Sequence, residues 1–253
     1  MRIFLKTEDE IILLRAASQL ATRALIEVGR HVVPRLALSH LRNKVVNAVM
    51  RTVPTESNSG KEALSSDTEF TFFVNGAYVE PSLEGECMLC EGDWLTVNCW
   101  VCLDGYYSFG AHTFIVGSSQ DDEPMTSTLI DMLRQVVRRA SAGHSIKEMS
   151  RTVYCLHSHD PYVLQKTLGH GVGRNRVENP ILRMNPGVND AVLLKEGMCL
   201  VIALAFKHGR SHLIKPRLMH ESTFHNPFVP FGTTVVVRPG RPEILTSFET
   251  IVK

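Results

Sequence analysis

The chain has 253 residues, 44% of them apolar, with 27 lysines and arginines against 26 aspartates and glutamates. Such a chain fills one large or two small hydrophobic cores, and a formal net charge of +1 gives no global pull towards nucleic acid or an anionic membrane surface. No stretch reaches the roughly 18 apolar residues of a membrane span, and Lys6, Glu8, Asp9 and Glu10 interrupt the first apolar run too early for a secretory or transit leader.

Six cysteines without an export signal read as reduced thiols of a cytoplasmic compartment, with an organelle left open for a chain that has lost a presequence. Thr7 with Glu10 three residues on forms a capping box, and Ile11, Leu14, Ala17, Leu20, Ala21, Ala24 and Leu25 recur at helical spacing. The spacing predicts a helix of about five turns, ended by Val32-Val33-Pro34 because proline disfavours helix for its predecessor. A second helix opens at Ser39 and runs to about Met50. Residues Thr55 to Asp67 are polar and aperiodic, a surface loop, and Glu69 to Tyr78 reads as one strand.

The stretch Asp93 to Gly117 is apolar and β-branched apart from Asp104-Gly105. Such a pair between alternating residues predicts a hairpin with a primed turn, here Trp94 to Leu103 and Tyr106 to Val116. An amphipathic helix follows from Thr126 to about Ala142, with Arg134, Arg138 and Arg139 on its polar face. Ser145 and Glu148 cap a shorter helix to about His157. Leu168 to Gly173 reads as a glycine-punctuated loop holding His170, Cys199 to Phe206 as an apolar strand, and Thr233 to Val237 with Glu243 to Thr246 as the last strand pair. No Pro- and Gly-rich linker divides the chain, so the expectation is one α+β domain over 1–253, with helices on one face of an antiparallel sheet.

Three constellations carry chemistry on paper. Cys87-x-x-Cys90 and Cys99-x-x-Cys102 have zinc-like spacing, but Cys99 and Cys102 fall within a predicted strand, where residues three apart face opposite sides. Small buried apolar residues are the competing reading. Gly169-His170-Gly171-Val172-Gly173 could cradle an anion or hold His170 as a ligand or proton carrier; the alternative is a turn histidine among glycines needed for backbone shape. His157 and His159 read as surface residues.

Several segments together resemble the type I methionine aminopeptidases of the pita-bread fold. They are LKTEDEI with Arg15 and Ala16, Pro34, Val74-Asn75, GDWLTVNCWVCLDGYY with TFIVG, GHGVGRNRVENP, LLKEGM, and TTVVV with EILT, nearly end to end. The resemblance implies a curled antiparallel sheet with helices packed on its outer face. It also implies a dinuclear metal centre on two aspartates, a histidine and two glutamates, because paired dications need oxygen-rich bridging ligands to activate water. Carried over position by position, these fall at Asn98, Phe109, His170, Ala203 and Gly232. Only His170 keeps a ligand side chain, while the two outer-shell histidines fall at Glu80 and Val177, and a pocket cysteine at Thr71.

The resemblance therefore implies a divergent member in which no metal or other cofactor is expected. Its cleft is expected to serve as a binding or structural module for a peptide or protein partner. Ribosome or RNA association enters through the local basic faces Arg134, Arg138 and Arg139, and Lys207, His208, Arg210, His212, Lys215 and Arg217. No membrane role is expected. The alternative is an active aminopeptidase or other hydrolase, releasing N-terminal methionine or working without two metals.

Overall fold

The computed structural model describes residues 2–53, 64–117, 124–157, 167–184, 192–207 and 228–247, together with Ile251. Helix α1 spans Glu8–His31. Its capping box is formed as expected: Glu10 N–H donates to Thr7 Oγ1 at 3.3 Å and Thr7 N–H to Glu10 Oε2 at 2.9 Å. At 24 residues it makes about 6.7 turns and not five, because Val28 continues the buried stripe past Leu25 and nothing breaks the helix before Val32. Helix α2 spans Leu38–Thr52 and starts at Ala37 without a side-chain cap.

Strand β1 (Glu69–Val74) and β2 (Ala77–Tyr78) correct the expectation of a single strand. Asn75 and Gly76 both take positive φ, 54° and 81°, which is the turn that folds the chain back. Asn75 also fixes the start of the next strand. Its amide donates to Asp93 Oδ1 at 2.9 Å and accepts from Trp94 N–H at 2.9 Å, and Asp93 Oδ2 takes Cys90 N–H at 2.7 Å. After a 3-10 turn at Pro81–Leu83 come β3 (Trp94–Leu103) and β4 (Tyr106–Ile115), joined through Asp104 (φ 49°) and Gly105 (φ 76°).

The second half holds α3 (Pro124–Arg138), α4 (Ile146–His157), β5 (Thr167–Gly171), β6 (Glu178–Arg183), β7 (Cys199–Lys207), β8 (Phe228–Val236) and β9 (Glu243–Ile244). Ser145 and Glu148 cap α4 reciprocally. His170 lies within β5, not in a loop. Its glycines are where other backbone comes close: a Cβ on Gly169 would lie 1.9 Å from Val201 O, and one on Gly171 2.4 Å from Asn179 O.

The described strands form one nine-stranded sheet in the order β2-β1-β3-β4-β8-β7-β5-β6, with β9 on β8. All its pairings are antiparallel. Leu95, Val97, Cys99 and Val101 face a core with α1 and α2. Leu200, Ile202, Leu204, Phe231 and Val235 face a second core with α3 and α4. Both cores use alternate residues of each strand, so the residues between them are turned to the opposite face of the sheet. None of the described helices is long and apolar enough to cross a membrane.

Residues 54–63, most of the predicted polar loop, lie outside the described set. Leu64 to Asp67 do not read as a loop remote from the core: Leu64 bridges to Leu103 and packs on the first core. His159, His208, Arg210, His212, Lys215 and Arg217 also fall outside the described residues, as do the side chains of His157 and Lys207.

Candidate functional site

Two rows of side chains cross the face turned away from the first core. In the first, Asn98 pairs in register with Ala111, Ala111 with Gly232, and Gly232 with Ala203. In the second, Glu69 pairs with Trp100 and Trp100 with Phe109. Directly opposed residues of antiparallel strands present their side chains on one face, so Asn98, Phe109, Ala203 and Gly232 share a surface.

Sheet curl brings His170 to the same place. From β3 to β5 there are four strand steps, about 19 Å in a flat sheet at roughly 4.8 Å per step, yet the Trp100 and His170 rings are 6.1 Å apart and within 7° of parallel. All five positions of the implied metal set therefore border one cleft.

The cleft floor is aromatic. Phe109 tilts against Trp100 at 4.8 Å, and its ring occupies the space above Gly232. A Cβ on Gly232 would fall 2.6 Å from Phe109 Cε1 and 3.1 Å from the Ala203 methyl. A large ring and two minimal side chains fit as one packed unit. Asn98 supplies a neutral amide whose Oδ1 is buried and accepts no hydrogen bond from the described residues.

His170 Nδ1 lies 2.9 Å from Gly171 O. A carbonyl can only accept, so Nδ1 carries the proton and the neutral ring leaves Nε2 as an acceptor. Burial holds the His170 pKa below the usual histidine value, against a smaller opposing effect of that hydrogen bond. Below about pH 6.5 the unfolded chain takes up a proton that the folded ring resists, so this contribution to stability falls as pH drops towards the folded pKa. Replacing His170 with Gln is expected to flatten the fall of the urea midpoint below about pH 6.5; an unchanged slope would remove His170 from this account.

Tested against a dinuclear centre, this donor set does not fit. Two divalent ions need several carboxylates, whereas the five positions offer one imidazole and one amide, and Phe109 fills the volume where side chains would converge. Among the described residues no three His, Cys, Asp or Glu side chains gather into a metal-binding group.

The cysteines do not supply one. Cys99 points into the first core, which Cys87 also joins, and burial drives the Cys99 thiol far above its ordinary range. Cys102 faces the other side of β3. Cys199 is buried in the central cluster with Phe109 and pushed up to about 12 by burial. Glu80 and Val177 are both exposed, Val177 at 58%. Thr71 is opposite Asn98 in the ladder. Of the basic face, Arg138 and Arg139 are exposed, while Arg134 is paired with Asp131 at 2.6 Å.

Sequence reasoning passed over Arg176. Its Nη1 donates to Glu69 Oε2 at 2.8 Å and its Nη2 to the Asp67 carbonyl, and its guanidinium lies 5.7 Å over the Trp100 ring. Its place next to the glycine motif was the only available signal.

A curled antiparallel sheet around a central cleft, with helices on the outer side, defines the class: the pita-bread α+β proteins. The chain belongs to metallopeptidase family M24, whose model matches residues 12–238. It is 24% identical to the methionine aminopeptidase of Clostridium perfringens over 248 residues, 96% of this chain and 98% of that one. The structure of methionine aminopeptidase from Thermotoga maritima matches with a TM-score of 0.79 at 20% identity, over 97% of this chain and 100% of that one. Prolidase from Pyrococcus furiosus matches with a TM-score of 0.72 at 20% identity, over 97% and 66%.

Proposed function

We propose that this M24 member is a binding module and not a dinuclear aminopeptidase, its cleft receiving a peptide or protein segment on an aromatic floor. The observation that carries this reading is the seat of Phe109 on Gly232 and Ala203. A site that activates water between two dications needs a cavity lined by carboxylates; here a hydrocarbon ring lies against Gly232 and Ala203 in their place. The floor that results is apolar with a few polar groups at its edge, the general make-up of a ligand-receiving cleft.

The relatives are methionine aminopeptidases, so the competing reading is an enzyme of that activity, and a single experiment separates the two. Protein freed of metal is titrated with Co2+ or Mn2+ by calorimetry and then incubated with a short peptide that begins with methionine. No tight binding and no methionine release are expected. Two tight equivalents accompanied by methionine release would overturn the proposal.

A further inference from the structure

Arg176 belongs to the irregular stretch between β5 and β6, but the described groups that its guanidinium touches come from the first half of the chain. Glu69 gives a carboxylate and Asp67 a backbone carbonyl. Trp100 and Tyr107 give ring faces at 5.7 and 5.9 Å. A planar cation with a fork of N–H donors is matched by two acceptors side by side and by aromatic faces, and an ammonium matches them less well.

The walls hold one another without help from the arginine. Glu69 is opposite Trp100 in the β1–β3 ladder. Tyr107 donates its hydroxyl to Asp67 Oδ2 at 2.5 Å. The occupant is loosely held by comparison. Side-chain exposures are 36% for Arg176 and 51% for Glu69, and ion pairs so open to water contribute little.

We propose that this cage is a binding site for an arginine side chain of a partner polypeptide, and that Arg176 fills it in cis as a competitor the partner displaces. Once Arg176 swings away, the mouth of the cleft presents the carboxylates of Asp67 and Glu69 beside the rings of Trp100 and Tyr107, and a basic segment complements both. The inference deepens the binding reading above by naming its ligand chemistry, and rests on that reading only in taking the cleft to receive a partner.

The test uses the full chain with Trp94→Phe, which leaves Trp100 as the single tryptophan reporter. Fluorescence is followed against Nα-acetyl-arginine amide and Nα-acetyl-lysine amide at matched ionic strength, with Arg176 in place and in Arg176→Ala. With Arg176→Ala, a saturable response to the arginine derivative is expected, at least about tenfold tighter than with Arg176 present, since a competitor in cis lowers apparent affinity by the fraction of open sites. The lysine derivative is expected to bind more weakly, and adding Glu69→Gln to abolish the response.

A folded Arg176→Ala protein without saturable binding, or with binding indifferent to Glu69→Gln, would overturn the proposal. If Arg176→Ala does not fold, Arg176→Gln is read in the same way. Failure of both to fold would also overturn it, because an exchangeable occupant is dispensable to the fold. None of these outcomes alters the metal titration, so the two proposals fail separately.

Discussion

Replacing Lys6 with Met is expected to cost about 3–5 kcal/mol of folding stability, the cost of leaving one member of a buried ion pair without the other. Lys6 Nζ donates to Glu178 Oε2 at 2.6 Å, and the two side chains are only 4% and 5% exposed. Without the ammonium, the Glu178 carboxylate keeps the N–H of Asn175 at 3.1 Å as its hydrogen-bond donor among the described residues, and water has little access to it. The packing is equally specific. A Cβ on Gly173 would lie 2.2 Å from Lys6 Cε, and the Lys6 backbone N–H bonds to Gly197 O at 2.7 Å. The arm before α1 thus ties down both ends of the stretch that carries Arg176. Adding Glu178→Leu to Lys6→Met is expected to recover most of the loss, since replacing both charges by apolar groups is often neutral. Urea denaturation of the unsubstituted protein, Lys6→Met, Glu178→Leu and the double variant decides it. A single-variant cost under about 1 kcal/mol, typical of an exposed pair, or a double variant as unstable as the single, would refute the buried-pair account.

What the sequence disclosed and what it hid follow the range of the interactions involved. The hairpin of β3 and β4 was legible nearly to the residue because its turn is set by two adjacent residues with positive φ, Asp104 and Gly105. The same signal at Asn75-Gly76 was passed over because β2 is only two residues long and shows no alternation to mark a new strand. The glycines around His170 read as loop punctuation, whereas they sit in β5 because Val201 O and Asn179 O leave no room for a Cβ. That distinction requires the neighbouring strands. The metal positions could be placed one at a time from motif spacing. The seat of Phe109 on Gly232 could not, since it joins β4 to β8, and the approach of Trp100 to His170 exists only because the sheet curls. Arg176 reaches Glu69 across 107 residues of chain, and no local pattern encodes such a contact.

Gly232→Glu alone is expected to destabilise the protein by about 3 kcal/mol, the upper range for overpacking a filled site, and to cost markedly less where Phe109 is already Asp. The reason is the 2.6 Å that a Cβ on Gly232 would have to Phe109 Cε1, in a ring that also packs on Trp100 at 4.8 Å between centroids. Removing the ring removes the clash, so a double-mutant cycle should return a coupling of about 1–3 kcal/mol between the two positions. Additive costs would mean that the ring moves aside freely and does not occupy the site. The cycle also sets the order of any reconstruction. Asp at Asn98 and Phe109 with Glu at Ala203 and Gly232 places four carboxylates around His170, which repel one another without a counter-ion, so the fourfold variant is expected to be poorly stable alone. Co2+ or Mn2+ at about 100 times its Kd should then stabilise it by about 2.7 kcal/mol, seen as a rise in Tm that the unsubstituted protein does not show. A fourfold variant that folds but is indifferent to metal would mean that these five positions do not converge as ligands. The metal response in turn tests whether the scaffold, with its curl and its His170, has kept the shape that the chemistry requires and lost only the side chains.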